Sequence, residues 1–361
     1  MVEEMSETKR VLLTGNEAIA EAAVKAGCRY FFGYPITPQN KIPEYMSKRL
    51  PEVGGVYLQA ESEVAAINMV FGAAGAGARV MTSSSSPGIS LMQEGISYIA
   101  AAELPCLIVN MMRGGPGLGG IQPSQSDYFQ ATKGGGHGDY RLLVLAPSTV
   151  QEAADLTMLA FDLADIYRNP VMILGDGYIG QMMEPVRFRA PESVELPPKD
   201  WTITGADGSP RNVIRSLYLK PEELERHNID LDHKYQKMKE NERRVERYMT
   251  DDAEIIITAF GIVARIAKTA IGVLREKGMK VGLIRPIMLF PFPYDAFSDS
   301  VDDVDRFLVV EMNMGQMVED VRLGVGGKAE VSFYGRTGGM VPSYEEIVGE
   351  VERIYRGGGR R

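Results

Sequence analysis

The sequence predicts an α/β protein of two units, the first of which is a parallel sheet covered by helices on both faces. Short apolar runs alternate with helical stretches from residue 10 to about residue 185, and the alternation resumes from residue 254 to residue 355. A strand–helix–strand order of this kind gives parallel strands joined by crossover helices. The chain of 361 residues is also too long for one core, because single cores stop growing at roughly 250–300 residues.

Strand and helix signals alternate through the first unit. Compact apolar runs predict the strands, and stretches of small residues predict the helices between them. The predicted strands are residues 30–32, 56–59, 80–83, 106–111, 142–145 and 171–174. The predicted helices are residues 17–26, 62–76 and 150–164. Gly27 follows the first helix, as is common where a helix ends.

A polar stretch from residue 187 to residue 250 separates the two units. Its residues 221–249 predict one long charged helix, because acidic and basic side chains interleave along it. Four apolar residues of that helix would pack it against a neighbour, namely Leu224, Leu231, Tyr235 and Met238. The predicted division is therefore a first domain at residues 1–190, a connector at 191–250 and a second domain at 251–361.

The second unit repeats the α/β alternation. Its predicted strands are residues 254–260, 280–285, 307–311 and 330–334, and its predicted helices are residues 263–277, 316–323 and 344–355. Residues 289–293 predict a rigid loop, because each proline fixes its own φ and restricts the residue before it.

The composition argues against several classes of protein. The apolar share of 45% and the charged share of 24% are typical of a globular protein. A net charge of −9 disfavours nucleic-acid binding, which needs a basic surface. No stretch reaches the roughly 20 apolar residues of a membrane span, and residues 1–10 contain no apolar leader segment, which predicts a cytoplasmic protein. With only Cys28 and Cys106, the chain offers neither a disulfide framework nor a Cys-ligated metal site.

The first candidate site motif follows the predicted strand at residues 30–32. In a parallel sheet this is the carboxyl edge, where ligands collect. Pro35 and Pro38 stiffen the run around Thr37. The Thr37 hydroxyl would either bind a carboxylate or a cofactor ring, or cap the helix that follows.

Two acidic residues begin the predicted helix at residues 62–76. Glu61 and Glu63 precede a run of small and apolar residues, with no Lys or Arg close in sequence. Acidic residues in a first helical turn are favoured by the helix dipole alone. The apolar helix nevertheless predicts a buried start, and a buried carboxylate without a cation is suited to sharing a proton with a ring nitrogen.

Three further segments follow strands or lie in glycine-rich loops. The serines at 83–86 offer short hydroxyl donors to a ligand or to a helix N-terminus. Arg113 would either hold a substrate carboxylate or lie on the surface. Residues 115–120 match G-x-G-x-x-G, but a polar run follows instead of an apolar helix, which disfavours a dinucleotide site. Lys133 and His137 lie in a glycine-rich loop, and His137 lacks partners for metal ligation.

Together these motifs resemble the α-type subunit of the 2-oxoacid:ferredoxin oxidoreductases over nearly the whole chain. The resemblance rests on residues 34–38, 59–63, 87–94, 113, 125–127, 133–138, 281–286 and 311–316. Residues 59–63, 117–119 and 133–137 are most similar to members that act on the branched-chain 2-oxoacid 3-methyl-2-oxobutanoate. The members that act on 2-oxoglutarate are the alternative.

The resemblance implies a thiamine-diphosphate-binding domain of the pyrimidine type, followed by a domain like the C-terminal domain of transketolase. It implies that a β subunit supplies the diphosphate and Mg²⁺ half of the site. It also implies that iron–sulfur clusters on partner subunits, such as a small iron–sulfur or γ subunit, pass electrons to ferredoxin while coenzyme A takes the acyl group. Residues 175–177 are like the start of the family's magnesium motif, yet no Asn-Asn pair follows them, so this chain is expected to hold no metal.

The resemblance also implies roles for individual residues. Glu63 matches the family's catalytic carboxylate and would hydrogen-bond the pyrimidine N1′, with Glu61 as the alternative. Thr37 and Arg113 would bind the substrate carboxylate, and Lys133 and His137 would lie in a loop near the site. The residues implied in cofactor binding are Tyr34, Pro35, Ile36, Thr37, Glu63 and Ser86.

One departure from the family pattern is visible. The family's Ser-Gly-Pro-Gly turn reads Ser85-Ser86-Pro87-Gly88 here, so Ser86 would either add a hydroxyl to the cavity or alter the turn. Two other classes of protein remain open on the sequence. One is a nicotinamide-dependent dehydrogenase, based on residues 115–120, and the other is a non-catalytic interaction protein with the same fold.

Overall fold

The computed structural model describes residues 10–188, 194–203, 205, 208 and 211–357. Residues 1–9, which bear on the expected lack of a leader segment, and the predicted domain boundary at residue 190 lie outside this range. Within the described ranges, no helix is both long and apolar enough to cross a membrane.

Strands alternate with helices along the described chain, which confirms the predicted α/β class. In chain order the strands are β1 Val11–Thr14, β2 Tyr30–Gly33, β3 Val56–Gln59, β4 Val80–Ser84, β5 Cys106–Met112, β6 Leu143–Leu145, β7 Pro170–Asp176, β8 Met183–Val186, β9 Val245–Tyr248, β10 Ile255–Thr258, β11 Val281–Pro286, β12 Met288–Phe290, β13 Arg306–Glu311 and β14 Glu330–Gly335. The helices are α1 Gly15–Lys25, α2 Lys41–Glu52, α3 Glu63–Gly75, α4 Ser86–Ala101, α5 Tyr128–Thr132, α6 Val150–Tyr167, α7 Gly177–Gln181, α8 Pro221–Asn241, α9 Gly261–Glu276, α10 Tyr294–Ser298, α11 Met317–Val325 and α12 Tyr344–Tyr355.

The first sheet has seven strands in the order β12-β6-β7-β5-β4-β2-β3. Its neighbouring strands are parallel except for β12, which runs antiparallel to β6. Successive residues of β5 face opposite sides: Leu107 and Val109 belong to the core formed with α1, α2 and α6, whereas Ile108 belongs to the core formed with α3 and α4. Helices therefore cover both faces, as buried parallel strands require.

The second sheet has five strands in the order β14-β13-β10-β11-β9. Its strands are parallel except for β9, which is antiparallel to β11. Side chains of α9 and α12 pack in one core, and those of α11 pack in the other. Strands β1 and β8 form a separate antiparallel pair at the edge of the first unit.

The predicted helix at residues 221–249 is wrong in its last part. Helix α8 ends at Asn241, and residues 245–248 form β9 along the edge of β11. That edge would otherwise leave backbone groups of a buried strand unpaired, so pairing outweighs the helical pattern of the charges. Glu246 in β9 forms ion pairs with Arg285 and Lys268, which accounts for a charged residue at this position.

The packing of α8 follows the prediction in three of its four apolar residues. Leu231, Tyr235 and Met238 are buried in the core of this chain, whereas Leu224 is 41% exposed. The predicted rigid loop at residues 289–293 is partly a strand, because β12 extends to Phe290 and pairs with β6 of the first sheet. Strand β9 belongs to the predicted connector but pairs in the second sheet. Strand β12 belongs to the predicted second domain but pairs in the first sheet.

Polar contacts hold the two units together. Arg285 of β11 binds the Glu152 carboxylate with both terminal nitrogens, at 3.0 and 2.7 Å. The Gln125 amide donates to the Phe260 carbonyl at 2.8 Å and accepts from the Met312 backbone nitrogen at 3.1 Å. The second unit therefore fixes the segment around Gln125 beside the carboxyl edge of the first sheet.

Candidate active site

The ends of β2, β3, β4 and β5 lie side by side at the carboxyl edge of the first sheet. Parallel pairing brings the segments that follow these strands to the same edge, where α/β folds bind ligands. The predicted site residues from Tyr34 to Arg113 are all located on these segments, although they are distant in sequence.

Glu63 lies at the first position of α3 and its side chain is buried. The Ser62 hydroxyl accepts from the Ala65 backbone nitrogen at 3.3 Å and so caps the start of α3. The Glu63 carboxylate is therefore not needed as the helix cap. Glu63 is 5% exposed and forms no ion pair with any described residue. Glu61 is exposed, which makes it the weaker candidate for a buried proton-sharing group.

Gly88 allows the Glu63 carboxylate to approach the first turn of α4. A Cβ atom at Gly88 would lie 2.0 Å from Ser84 Oγ and 2.5 Å from Glu63 Oε1, which no real side chain tolerates. The hydroxyls of Ser84 and Ser85 are buried and have no hydrogen-bond partner in the described part of the chain. A free carboxylate and unpartnered hydroxyls around a glycine fit a polar ring that brings its own donors and acceptors.

The loop after β2 is held by polar residues that the sequence did not identify, of which Asn16, Gln39 and Ser83 are buried and Gln181 is exposed. The Pro38 carbonyl accepts from Asn16 at 2.9 Å and from Gln181 at 2.7 Å. The Gln39 side chain accepts from the Ser83 hydroxyl at 2.6 Å and donates to the Tyr34 carbonyl at 3.2 Å. These contacts fix the loop in one conformation.

Thr37 is half-buried in that loop and does not cap α2, whose cap position is Asn40. The alternative of a helix cap is therefore wrong, because the loop continues for three residues past Thr37. Among the described residues, the Thr37 hydroxyl makes one long contact of 3.4 Å, with the Asn40 side chain. Tyr34 and Pro35 are exposed, and Ile36 is half-buried.

Arg113 follows β5 and turns its guanidinium towards the same loop. Its Nη1 donates to the Thr37 carbonyl at 3.0 Å and its Nη2 donates to the Leu118 carbonyl at 3.3 Å. The side chain pairs with no carboxylate of a described residue, and its Nε has no partner there. Arg113 is 9% exposed, so it is not the free surface residue considered as the alternative. A buried guanidinium bound only to carbonyls retains the capacity to bind an anion.

The Ser86 hydroxyl is already engaged within the chain. It accepts from the Arg113 backbone nitrogen at 3.0 Å and contacts Asp127 Oδ2 at 2.6 Å. Asn110 donates to the same Asp127 oxygen at 2.9 Å. Burial raises the pKa of Asp127, and the hydrogen bonds from Ser86 and Asn110 oppose that rise. A direct contact of Ser86 with the cofactor stays a prediction.

The loop residues Lys133 and His137 lie apart from this cluster. Lys133 forms an ion pair of 2.5 Å with the buried Asp320 of α11. His137 is exposed and lies 3.4 Å from the Ser97 hydroxyl. Ser97 follows Ser86 by eleven residues in α4, which is about 16 Å along a helix. The described structure therefore does not place His137 beside Glu63, and it engages Lys133 with Asp320.

The two glycine motifs have structural explanations. Residues 114–122 form a loop in which Gly114 and Gln122 pair through the backbone, and the next helix is the short α5. In the second motif Asp176 caps α7, because its Oδ1 accepts from the backbone nitrogens of Tyr178 and Ile179. No cluster of three or more potential metal ligands occurs among the described residues.

The fold is that of a thiamine-diphosphate-binding oxidoreductase, and sequence comparison specifies the family. Residues 21–249 match the family described as pyruvate flavodoxin/ferredoxin oxidoreductase, thiamine diphosphate-binding, and residues 253–347 match the pyruvate:ferredoxin oxidoreductase core domain II. The chain belongs to the 2-oxoacid:ferredoxin oxidoreductase family.

Two curated relatives show where the chain lies within that family. It is 50% identical to the ketoisovalerate oxidoreductase subunit VorB of Methanothermobacter thermautotrophicus, over 95% of this chain and 97% of that protein. It is 38% identical to the 2-oxoglutarate synthase subunit KorA of the same organism, over 97% of this chain and 100% of that protein.

Two solved structures have a fold similar to that of this chain. The 2-oxoglutarate:ferredoxin oxidoreductase from Magnetococcus marinus, with 2-oxoglutarate, coenzyme A and succinyl-CoA bound, superposes with a TM-score of 0.85 at 26% identity. The match covers 96% of this chain and 65% of that longer chain. A split-gene transketolase in an inactive β4 tetramer superposes with a TM-score of 0.61 at 14% identity, which is a likeness of fold alone.

Proposed function

We propose that the chain is the α-type subunit of a complex that converts 3-methyl-2-oxobutanoate, coenzyme A and oxidised ferredoxin to acyl-CoA, CO₂ and reduced ferredoxin. The observation that carries the proposal is the buried Glu63 carboxylate, which pairs with no described residue and lies close to Gly88 and Ser84. The 50% identity to a subunit named for ketoisovalerate supports the branched-chain substrate. The relatives named for 2-oxoglutarate make that acid the alternative substrate.

In this proposal the residues of the chain bind and orient the pyrimidine ring of the cofactor and the 2-oxoacid. The Glu63 carboxylate forms a hydrogen bond with the pyrimidine N1′ and shares a proton with it. Gly88 leaves room for the ring, and the loop 34–38 lines the site beside it. When bound, thiamine diphosphate supplies the electron sink for decarboxylation. Arg113 and Thr37 bind the carboxylate of the 2-oxoacid and fix its ketone in one orientation.

A partner must complete the site. The sequence lacks the Asn-Asn pair that would hold diphosphate and Mg²⁺, so we assign those groups to a β subunit. Beside Glu63 the chain exposes apolar side chains suited to such a partner, because large exposed apolar patches mark interaction surfaces. They are Val56 and Leu58 of β3, Val64 and Met69 of α3, and Leu91 of α4.

Electron transfer would use groups outside this chain. The two cysteines are buried, Cys28 just before β2 and Cys106 at the start of β5, and two cysteines are fewer than the four thiolates that hold an iron–sulfur cluster. Small iron–sulfur or γ subunits would therefore carry the clusters to ferredoxin. The domain division at residues 190 and 250 also stays a proposal.

The test is to purify the chain with its companion subunits and to measure coenzyme-A-dependent reduction of a viologen dye. We expect the highest kcat/KM with 3-methyl-2-oxobutanoate among that acid, 2-oxoglutarate and pyruvate, and no activity from the isolated chain. Preference for 2-oxoglutarate would support the alternative substrate. Robust activity of the isolated chain would refute the shared site, and tight NADH binding by it would favour a dehydrogenase. Inactivity of the whole complex with every acid would favour an interaction protein.

A further inference from the structure

The Ser86 hydroxyl connects the Asp127 carboxylate to the backbone of Arg113. Its oxygen accepts from the Arg113 nitrogen at 3.0 Å, and its proton is directed at Asp127 Oδ2 at 2.6 Å, with the Arg113 carbonyl at 3.2 Å as the weaker acceptor. Ser86 is 8% exposed. The hydroxyl hydrogen and one oxygen lone pair of Ser86 are already used by hydrogen bonds within the chain. These bonds stabilise the local structure around Ser86.

The Asp127 oxygen is itself fixed from a second direction. Asn110, which is fully buried in β5, donates to Oδ2 at 2.9 Å. The neighbouring Gln125 is bound to Phe260 and Met312 of the second unit. Asp127 therefore has little freedom to move, and the hydrogen bond to Ser86 transmits that rigidity to Arg113.

Arg113 depends on this anchor because no ion pair with a described residue sets the direction of its side chain. Its guanidinium contacts two neutral carbonyls, those of Thr37 and Leu118, and both belong to loops. An arginine that must meet a carboxylate in a two-pronged geometry loses affinity when its side chain samples other directions. The backbone position at the end of β5 is thus the main constraint on where the guanidinium lies.

We propose that Ser86 and Asp127 are positioning residues that hold Arg113 where it meets the carboxylate of the 2-oxoacid. The inference rests on the proposed function for the identity of the ligand. The Ser86 hydroxyl is thus a brace between the Asp127 carboxylate and the backbone of Arg113.

Four variants in the purified complex test the proposal: Ser86→Ala, Ser86→Gly, Asp127→Leu and Asp127→Asn. We expect the first three to raise the KM for 3-methyl-2-oxobutanoate about five- to tenfold, with a smaller effect on kcat, as the loss of one buried hydrogen bond implies. A weaker apparent affinity for thiamine diphosphate in both Ser86 variants, with an unchanged KM for the 2-oxoacid, would instead support the predicted contact of Ser86 with the cofactor and overturn the positioning role. Asp127→Asn keeps an oxygen acceptor for Ser86 and should recover most of the affinity. Hydrogen–deuterium exchange of the Arg113 amide should quicken in the same three variants.

Ser90→Ala is the matched control. The Ser90 hydroxyl lies one turn further along α4, donates to the Ser86 carbonyl at 3.1 Å and does not contact Arg113, so its loss should leave KM unchanged. If hydrogen–deuterium exchange of the Arg113 amide is unchanged in both Ser86 variants, the Ser86 hydroxyl does not hold the Arg113 backbone and the proposal is overturned. Faster exchange with an unchanged KM, or an equal rise of KM in Ser90→Ala, would overturn the positioning role. Inactivity of the unaltered complex with every 2-oxoacid would instead overturn the proposed function and this ligand with it.

Discussion

The Asp176 carboxylate, at the end of β7, accepts a hydrogen bond of 2.9 Å from the backbone nitrogen of Ile262 in the first turn of α9. One buried side chain therefore caps α7 with one oxygen and the first helix of the second unit with the other. Burial raises the pKa of Asp176 from 3.8 to about 6, and the backbone donors oppose the rise. The residue that resembles the start of a magnesium motif therefore links helices of the two units.

This link predicts a pH dependence of stability. Because the folded pKa lies above the unfolded one, the contribution of Asp176 is complete below about pH 4 and is lost as the pH rises to about 6. Asp176→Asn should remove this dependence and, at pH 7, cost about 1–3 kcal/mol, because an amide NH₂ would face the Ile262 N–H. Urea unfolding from pH 4 to pH 7 measures both effects. The exposed Asp302→Asn is the control, and an equal pH profile in wild type and Asp176→Asn would contradict the prediction.

The burial of Glu63 predicts unequal effects of two neighbouring substitutions. Glu63→Gln keeps the shape but cannot share a proton in the same way, so kcat of the complex should fall by about 10²- to 10⁴-fold. Glu61→Gln alters an exposed side chain and should change kcat little. Steady-state rates at saturating thiamine diphosphate check this. Comparable loss in both variants would count against Glu63 as the proton-sharing group.

The close approach at Gly88 predicts a position where one methyl group is damaging. Gly88→Ala would place its Cβ against Ser84 and Glu63, so we expect a loss of about 1–3 kcal/mol in stability together with a large loss of activity. Gly72→Ala in α3 is the matched control, because its Cβ would meet no atom within 4 Å and should be neutral or stabilising. Thermal unfolding and turnover are measured in parallel. Full activity of Gly88→Ala would show that the ring does not occupy this space.

The ion pair of Lys133 with Asp320 predicts a structural effect. Asp320 is buried and also accepts from the hydroxyls of Tyr128 and Tyr294. Lys133→Met leaves that carboxylate without its cation, so the free energy of unfolding should fall by about 1–3 kcal/mol, whereas Met in place of the exposed Lys48 should change it little. Denaturant titration measures the difference. A raised KM for the 2-oxoacid without a loss of stability would instead indicate that the loop of Lys133 and His137 contributes to the active site.

The sequence predicted most strands within two residues because their apolar runs are compact and buried on both faces. It did not predict α2 or α4, since prolines interrupt the first and a serine-rich, Pro-Gly start disguises the second. In the site, the position of Glu63 followed from a local pattern. Its supporting residues did not, because Ser83 and Gln39 are 44 residues apart and Ser86 and Asp127 are 41 apart. Pairings over such distances depend on how the strands are ordered in the sheet.

The exchange of strands β9 and β12 between the two units means that the chain cannot be divided cleanly into two fragments. Strand β9 lies upstream of residue 250 but completes the second sheet, whereas β12 lies downstream and completes the first. No single cut in the polypeptide yields two fragments that each retain a whole sheet, and either fragment would expose a bare strand edge prone to aggregation. A protease that nicks the chain near residue 250 should therefore leave two pieces that co-elute on gel filtration and separate only in denaturant.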